Sequence, residues 1–76
     1  MEEKVIEILR DVLGDESVDI NTSQQNNPKW DSMAQLNLIV ELESSFDLCF
    51  EPEEIATMSS VLRVIETIKG KTKRDD

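Results

Sequence analysis

The residue with the clearest chemical potential is a serine. Ser32 stands behind Asp31 and ahead of an apolar-periodic run, so its hydroxyl sits where a helix begins. A serine there has two uses. It can cap the helix, and Ser32-x-x-Gln35 has the spacing of a capping box. It can also carry a phosphate ester, because free backbone N–H groups and the positive dipole end favour an anion there. It is not a hydrolase nucleophile: the chain has no histidine to activate it and no glycine-flanked nucleophile elbow. The lack of histidine also removes His-based acid–base catalysis and His metal sites. Cys49 is the one cysteine. It can form no internal disulfide and no zinc site alone, and it reads as a small semi-buried apolar residue. Asp15, Ser17, Asp19 and Asn21 alternate as in a calcium loop. Such a loop needs Gly at position 20 and Glu at position 26, where this chain has Ile20 and Asn26. No glycine-rich phosphate loop is present, so nothing in the sequence supports an enzyme.

Charge narrows the class of partner. The net charge is −9 over 76 residues, which excludes binding nucleic acid through neutralised phosphates and favours basic protein surfaces. The acidity is uneven. Residues 31–59 hold Asp31, Glu41, Glu43, Asp47, Glu51, Glu53 and Glu54 with no Lys or Arg. The acidic start, Met1-Glu2-Glu3-Lys4, has neither the basic residues nor the apolar stretch of a secretory signal. No segment approaches the roughly 18 apolar residues of a membrane span. The expectation is a cytoplasmic monomer with no membrane insertion.

The elements that position Ser32 follow from periodicity. Of the 76 residues, 22 are Leu, Ile, Val or Phe, above the fraction of about 20% below which highly charged chains stay disordered. One small core is therefore expected, in a single domain over 1–76. Val5, Ile8, Leu9 and Val12, flanked by Ile6 and Leu13, predict a first helix over 2–13, with Gly14 as the left-handed residue that ends it. Residues 14–30 show no helical period. Their polar run Asn21–Pro28 reads as a long loop, with Val18 and Ile20 anchoring it to the core. A second helix is predicted over 32–46. Pro52 at a first helical position, with Glu53 and Glu54 at its positive end, predicts a short helix over 52–57. Ser59 or Ser60 then caps a last helix with the stripe Val61, Val64, Ile65 and Ile68. Gly70 is read as its end, and 71–76 as a frayed charged tail. This is an all-α pattern of three main helices, one short helix and a long first loop, the makings of a compact bundle.

The second helix carries two apolar stripes. Leu38, Ile39, Leu42 and Phe46 fall within an arc of about 100° and form the core face. Met33, Leu36 and Val40 fall between about 40° and 100° from Ser32, on the serine's own side. Two placements are open to them: packed beneath the long loop, or exposed as a strip for a partner. The second agrees with the charge, since an apolar strip flanked by uncompensated acids fits a docking surface in which charge steers and the strip holds.

With these residues in place, a resemblance emerges. Trp30-Asp31-Ser32-Met33 follows a long loop. After it come Leu36, Leu38-Ile39-Val40-Glu41-Leu42-Glu43, Phe46-Asp47, Phe50-Glu51-Pro52-Glu53-Glu54-Ile55 and Ser59-Ser60-Val61. The chain resembles the acyl carrier proteins over nearly its whole length, with that family's Asp-Ser-Leu motif here as Asp31-Ser32-Met33. The resemblance implies a four-helix acyl-carrier-type bundle without catalysis of its own. It implies that Ser32, between its motif flanks Asp31 and Met33, receives 4′-phosphopantetheine from coenzyme A. A separate Mg-dependent phosphopantetheinyl transferase makes that transfer. Acyl groups then ride as thioesters on the arm, between loading and transfer enzymes with basic docking patches. The partner face would comprise Met33, Leu36, Val40, Glu41, Glu43, Asp47, Glu53 and Glu54.

Departures from the family pattern refine this. Fatty-acid synthesis carriers place acids just after the motif, where this chain has Ala34, Gln35 and Asn37. Its acidic patch starts at Glu41, which implies weaker docking to enzymes of the housekeeping pathway. Trp30 before the motif resembles free-standing carriers of specialised biosynthetic pathways. Pro28-Lys29-Trp30 does not match the glycine-rich approach of peptidyl carriers. The competing expectation is an acidic helical interaction module that is never modified.

Overall fold

In a computed structural model, described over residues 1–72, the chain is all-α, with four helices in the order α1 (Glu2–Leu13), α2 (Ser32–Phe46), α3 (Pro52–Thr57) and α4 (Val61–Thr72). α1 is the hub, packing against both α2 and α4. Its buried residues are Val5, Leu9 and Leu13, while Ile6, Ile8 and Val12 flank the core half-buried. The expected stripe is thus rotated slightly toward Leu13. Gly14 ends α1 in the left-handed conformation, φ 63°, as its position after the apolar run predicts.

α2 contributes Leu38, Ile39 and Leu42 to the core, with Ala34 beneath its first turn. Phe46 is half-buried rather than central, and Lys4 lies over its ring at 5.6 Å from the centroid. Asp47 closes α2 at φ 57°, a conformation that Asp tolerates better than most residues. In α4, Val61, Val64, Ile65 and Ile68 are all buried, as their spacing predicts. Ser60 caps this helix, its Oγ accepting from the Arg63 N–H at 3.2 Å.

α4 corrects the expectation for Gly70. The helix runs through that glycine to Thr72. A side chain there would meet nothing within 4 Å, so the glycine answers no steric demand. The last turn is held instead by Lys71, whose Nζ lies 2.9 Å from the Glu54 carboxylate and 5.7 Å from the Phe50 ring centroid. Lys71 and Thr72 are therefore helical, not tail. Residues 73–76 of the expected tail lie outside the described residues.

The long loop is built rather than loose. Val18 is fully buried, Trp30 nearly so, and Ile20 packs against the core at partial burial. Two backbone bonds tie the loop to the start of α4: the Gln24 N–H donates to the Ser59 carbonyl at 2.9 Å, and the Val61 N–H to the Thr22 carbonyl at 3.0 Å. Arg10 Nε donates to the Val18 carbonyl at 3.0 Å. Among the described residues, no helix is long and apolar enough to cross a membrane.

Candidate functional site

The start of α2 separates the two uses of a serine there. The cap is Asp31, not Ser32. Asp31 has extended backbone, φ −101° and ψ −169°, and its Oδ1 accepts from the Ala34 N–H at 2.9 Å. Ser32 is the first helical residue, exposed at the head of the helix. The Ser32–Gln35 capping box expected from spacing does not form. Gln35 turns the other way: its Oε1 accepts from the Trp30 indole N–H at 2.7 Å. Its Nε2 donates to the carbonyls of Ile55 at 3.2 Å and Met58 at 3.1 Å.

Ser32 lies on the rim of a shallow hollow of about 330 Å³ between α2 and α3. Gln24 from the loop, Gln35 and Leu36 from α2, and Ile55 and Ala56 from α3 complete its lining. Of these neighbours, the sequence pairs Gln35 with Ser32 by spacing, but points to none of Gln24, Ile55 and Ala56. Those three depend on how α3 and the loop return. A wider depression of about 480 Å³ lies at the far end of α1, lined by Glu7, Arg10, Asp11, Gly14, Asp15 and Glu16. It holds no candidate nucleophile or attachment residue.

Met33, Leu36 and Val40 settle the question left open by periodicity. They are 70%, 63% and 63% exposed, so the loop does not cover them. They form an apolar strip running down α2 from Ser32.

The acids divide into two groups. Glu41, Asp47 and Glu53 are exposed. Glu43 and Glu54 are partly committed to holding the fold. Glu43 accepts from the Phe50 N–H at 3.0 Å. Glu54 accepts from the Glu51 N–H at 2.7 Å, closing the capping box of α3, and pairs with Lys71. The Glu51 N–H first, and then Lys71, hold the Glu54 carboxyl below the usual carboxylate range. As members of a partner face these two acids are already engaged.

The Asp15–Asn21 ladder makes turns. The Asp15 carboxylate accepts from the Ser17 hydroxyl at 2.6 Å, the Ser17 N–H at 2.9 Å and the Asn27 amide at 3.1 Å. Those bonds, the Ser17 hydroxyl foremost, bring its pKa down to about 2. Asp19 accepts from the Asn21 N–H at 2.9 Å. Among the described residues no cluster of three or more acidic or cysteine side chains is arranged to hold a metal ion. Cys49 is exposed, not semi-buried; it lies in the link between α2 and α3, where neighbouring Leu48 and Phe50 supply the apolar contacts.

No protein-family model and no curated protein matches the chain.

Proposed function

We propose that this chain is an acyl carrier protein whose Ser32 bears a 4′-phosphopantetheine arm. The observation that carries the proposal is the placement of Ser32: exposed at the first position of α2, relieved of capping by Asp31, and beside a hollow and an uncovered apolar strip that share Leu36. The helix order, two long helices separated by a long pinned loop and then a short and a long one, is the order expected of a carrier bundle.

The surroundings of Ser32 fit the arm chemically. A phosphodiester on its Oγ would sit at the positive end of a 15-residue helix, where amide donors and the dipole favour an anion. In the loading step the Ser32 Oγ–phosphorus bond forms and the bond from that phosphorus to 3′,5′-ADP breaks. The hydroxyl proton passes to a base of the separate transferase. The bound arm supplies a thiol that carries acyl groups as thioesters. The protein's own work is to present the attachment point, supply reach and effective concentration, and dock partners. Exposed Glu41, Asp47 and Glu53 steer basic surfaces and the Met33–Leu36–Val40 strip gives them an apolar seat. The late start of the acidic patch favours a specialised biosynthetic pathway over housekeeping fatty-acid synthesis.

The deciding experiment is an intact mass after incubation with coenzyme A, Mg²⁺ and a broad-specificity phosphopantetheinyl transferase, with Ser32→Ala in parallel. A gain of one phosphopantetheine group, lost in the variant, is expected. No gain with several transferases would favour the second reading, an unmodified acidic module that binds through the α2 strip alone. That reading is kept because the strip and acids need no arm to work.

A further inference from the structure

The short helix beside Ser32 has little apolar anchorage: of its own residues, Ile55 packs half-buried against the core. α3 has six residues and none is buried, and helices of that length do not hold themselves together in water. Polar tethers hold it. At its start are its own capping box and the Lys71–Glu54 pair. At its end is one side chain, Gln35. Both donors of that amide bind α3-end carbonyls, Ile55 and Met58, and its oxygen takes the Trp30 indole N–H. Three segments therefore meet at one amide: the end of the loop, the first turn of α2 and the end of α3. Two of its partners belong to the core: Trp30 is 2% exposed and Met58 is fully buried. Gln35 also lines the hollow on whose rim Ser32 stands.

We propose that Gln35 is a latch that keeps the interior of the bundle closed at the Ser32 end, so that an aliphatic group carried on the arm rides outside the core. The proposal rests on the carrier reading for its cargo but not for its geometry. Entry of a chain between α2 and α3 must part Gln35 from the two carbonyls or from Trp30. Parting from Ile55 leaves that carbonyl the Met58 N–H, but parting from Trp30 strips the one partner of an indole N–H on a residue 2% exposed, which is costlier than losing an exposed hydrogen bond. The entering chain must first overcome that cost. Gln35 is thus a positioning residue: it touches no reacting atom and decides where the cargo lies.

The test uses three chains: wild type, Gln35→Met and Gln35→Glu. Methionine keeps the volume and loses all three bonds. Glutamate keeps the acceptor for Trp30 and loses the donors to α3. In the unloaded proteins, amide hydrogen exchange over 55–58 should rise at least about tenfold in both variants. Emission of Trp30, the sole tryptophan, should shift in Gln35→Met alone. Equal exchange in all three would overturn the latch whether or not Ser32 is ever modified. Far-ultraviolet circular dichroism confirms that each variant keeps its helices, and should Gln35→Met fail this check, Gln35→Glu carries the exchange test by itself. The second arm loads Ser32 from octanoyl-coenzyme A and from coenzyme A. The octanoyl group should leave Trp30 emission and α3 exchange unchanged in wild type and alter both in Gln35→Met. An octanoyl-dependent change in wild type as large as in Gln35→Met would overturn exclusion of the cargo. Failure of Ser32 to load at all would overturn the carrier reading instead, and the unloaded exchange data would still decide the latch.

Discussion

Replacing Asp31 and Ser32 separately tests whether cap and attachment point are different residues. Asp31 Oδ1 accepts from the Ala34 N–H at 2.9 Å, and α2 has no acid in its first turn, so Asp31 alone supplies both the capping bond and a carboxylate near the positive dipole end. Asp31→Ala should cost about 1 kcal/mol, within a range of roughly 0.5–2 for lost caps. In a domain of this size that lowers Tm by about 4–8 °C. Asp31→Asn keeps an acceptor and loses the charge, worth about 0.3–1 kcal/mol at low salt, so its deficit should shrink as salt rises. Ser32 is exposed and already helical, so Ser32→Ala should stay within about 0.5 kcal/mol of wild type while losing all capacity for the arm. Thermal melts at two salt concentrations, with intact masses after transferase treatment, read both properties on the same samples. A Ser32→Ala loss as large as that of Asp31→Ala would refute the assignment and return the serine to a structural role.

Four further substitutions probe other parts of the molecule. Val40→Asp, at a position 63% exposed, should leave stability within about 0.5 kcal/mol while weakening capture by a basic partner enzyme in a titration; a denatured variant would mean the strip is core. Asp15, with its folded-state pKa down at about 2, binds fewer protons folded than unfolded. Its stabilisation should be complete above about pH 4, the ordinary carboxylate value, and fade as pH falls through about 2. Urea midpoints should accordingly show the lead of wild type over Asp15→Asn narrowing below pH 4, and a lead independent of pH would contradict the assignment. Gly14→Ala, at φ 63°, should destabilise by about 1 kcal/mol, whereas Gly70→Ala, in open helical space, should stabilise by about 0.5–1 kcal/mol; chemical denaturation of the pair would expose any error of sign.

What periodicity could and could not reach divides along physical lines. α1, α2 and α3 begin and end where stripe, proline and left-handed residue predict, because those signals are local. The exposure of Met33, Leu36 and Val40 was legible as a second stripe, although only packing could decide that the loop stays off it. Which of Asp31 and Ser32 caps α2 was not legible. Both types cap helices well, and a shift of one residue leaves the apolar period intact. Gly70 misled because a glycine near a helix end is usually its stop, whereas here Lys71 reaches Glu54 and Phe50 and keeps the last turn wound. The roles of Gln35, Trp30 and Glu43 lay beyond any local signal. Each bonds a segment fixed by tertiary folding, and a lone aromatic in an aperiodic loop has no period to betray its burial.

The bridge between Ser23 and Ser60 has a consequence for the chain's biogenesis. It ties a segment ahead of α2 to one behind α3, so the loop cannot reach its final shape until the chain through Ser60 is available. Closing so wide a gap carries an entropy cost that only the finished structure offsets. During synthesis α1 and α2 can emerge from the ribosome and pair early, but the wall around Ser32 is completed only after α4 has followed. A processing enzyme that reads this wall, rather than the three-residue motif, would pass over chains in which Ser60 has not yet joined the fold.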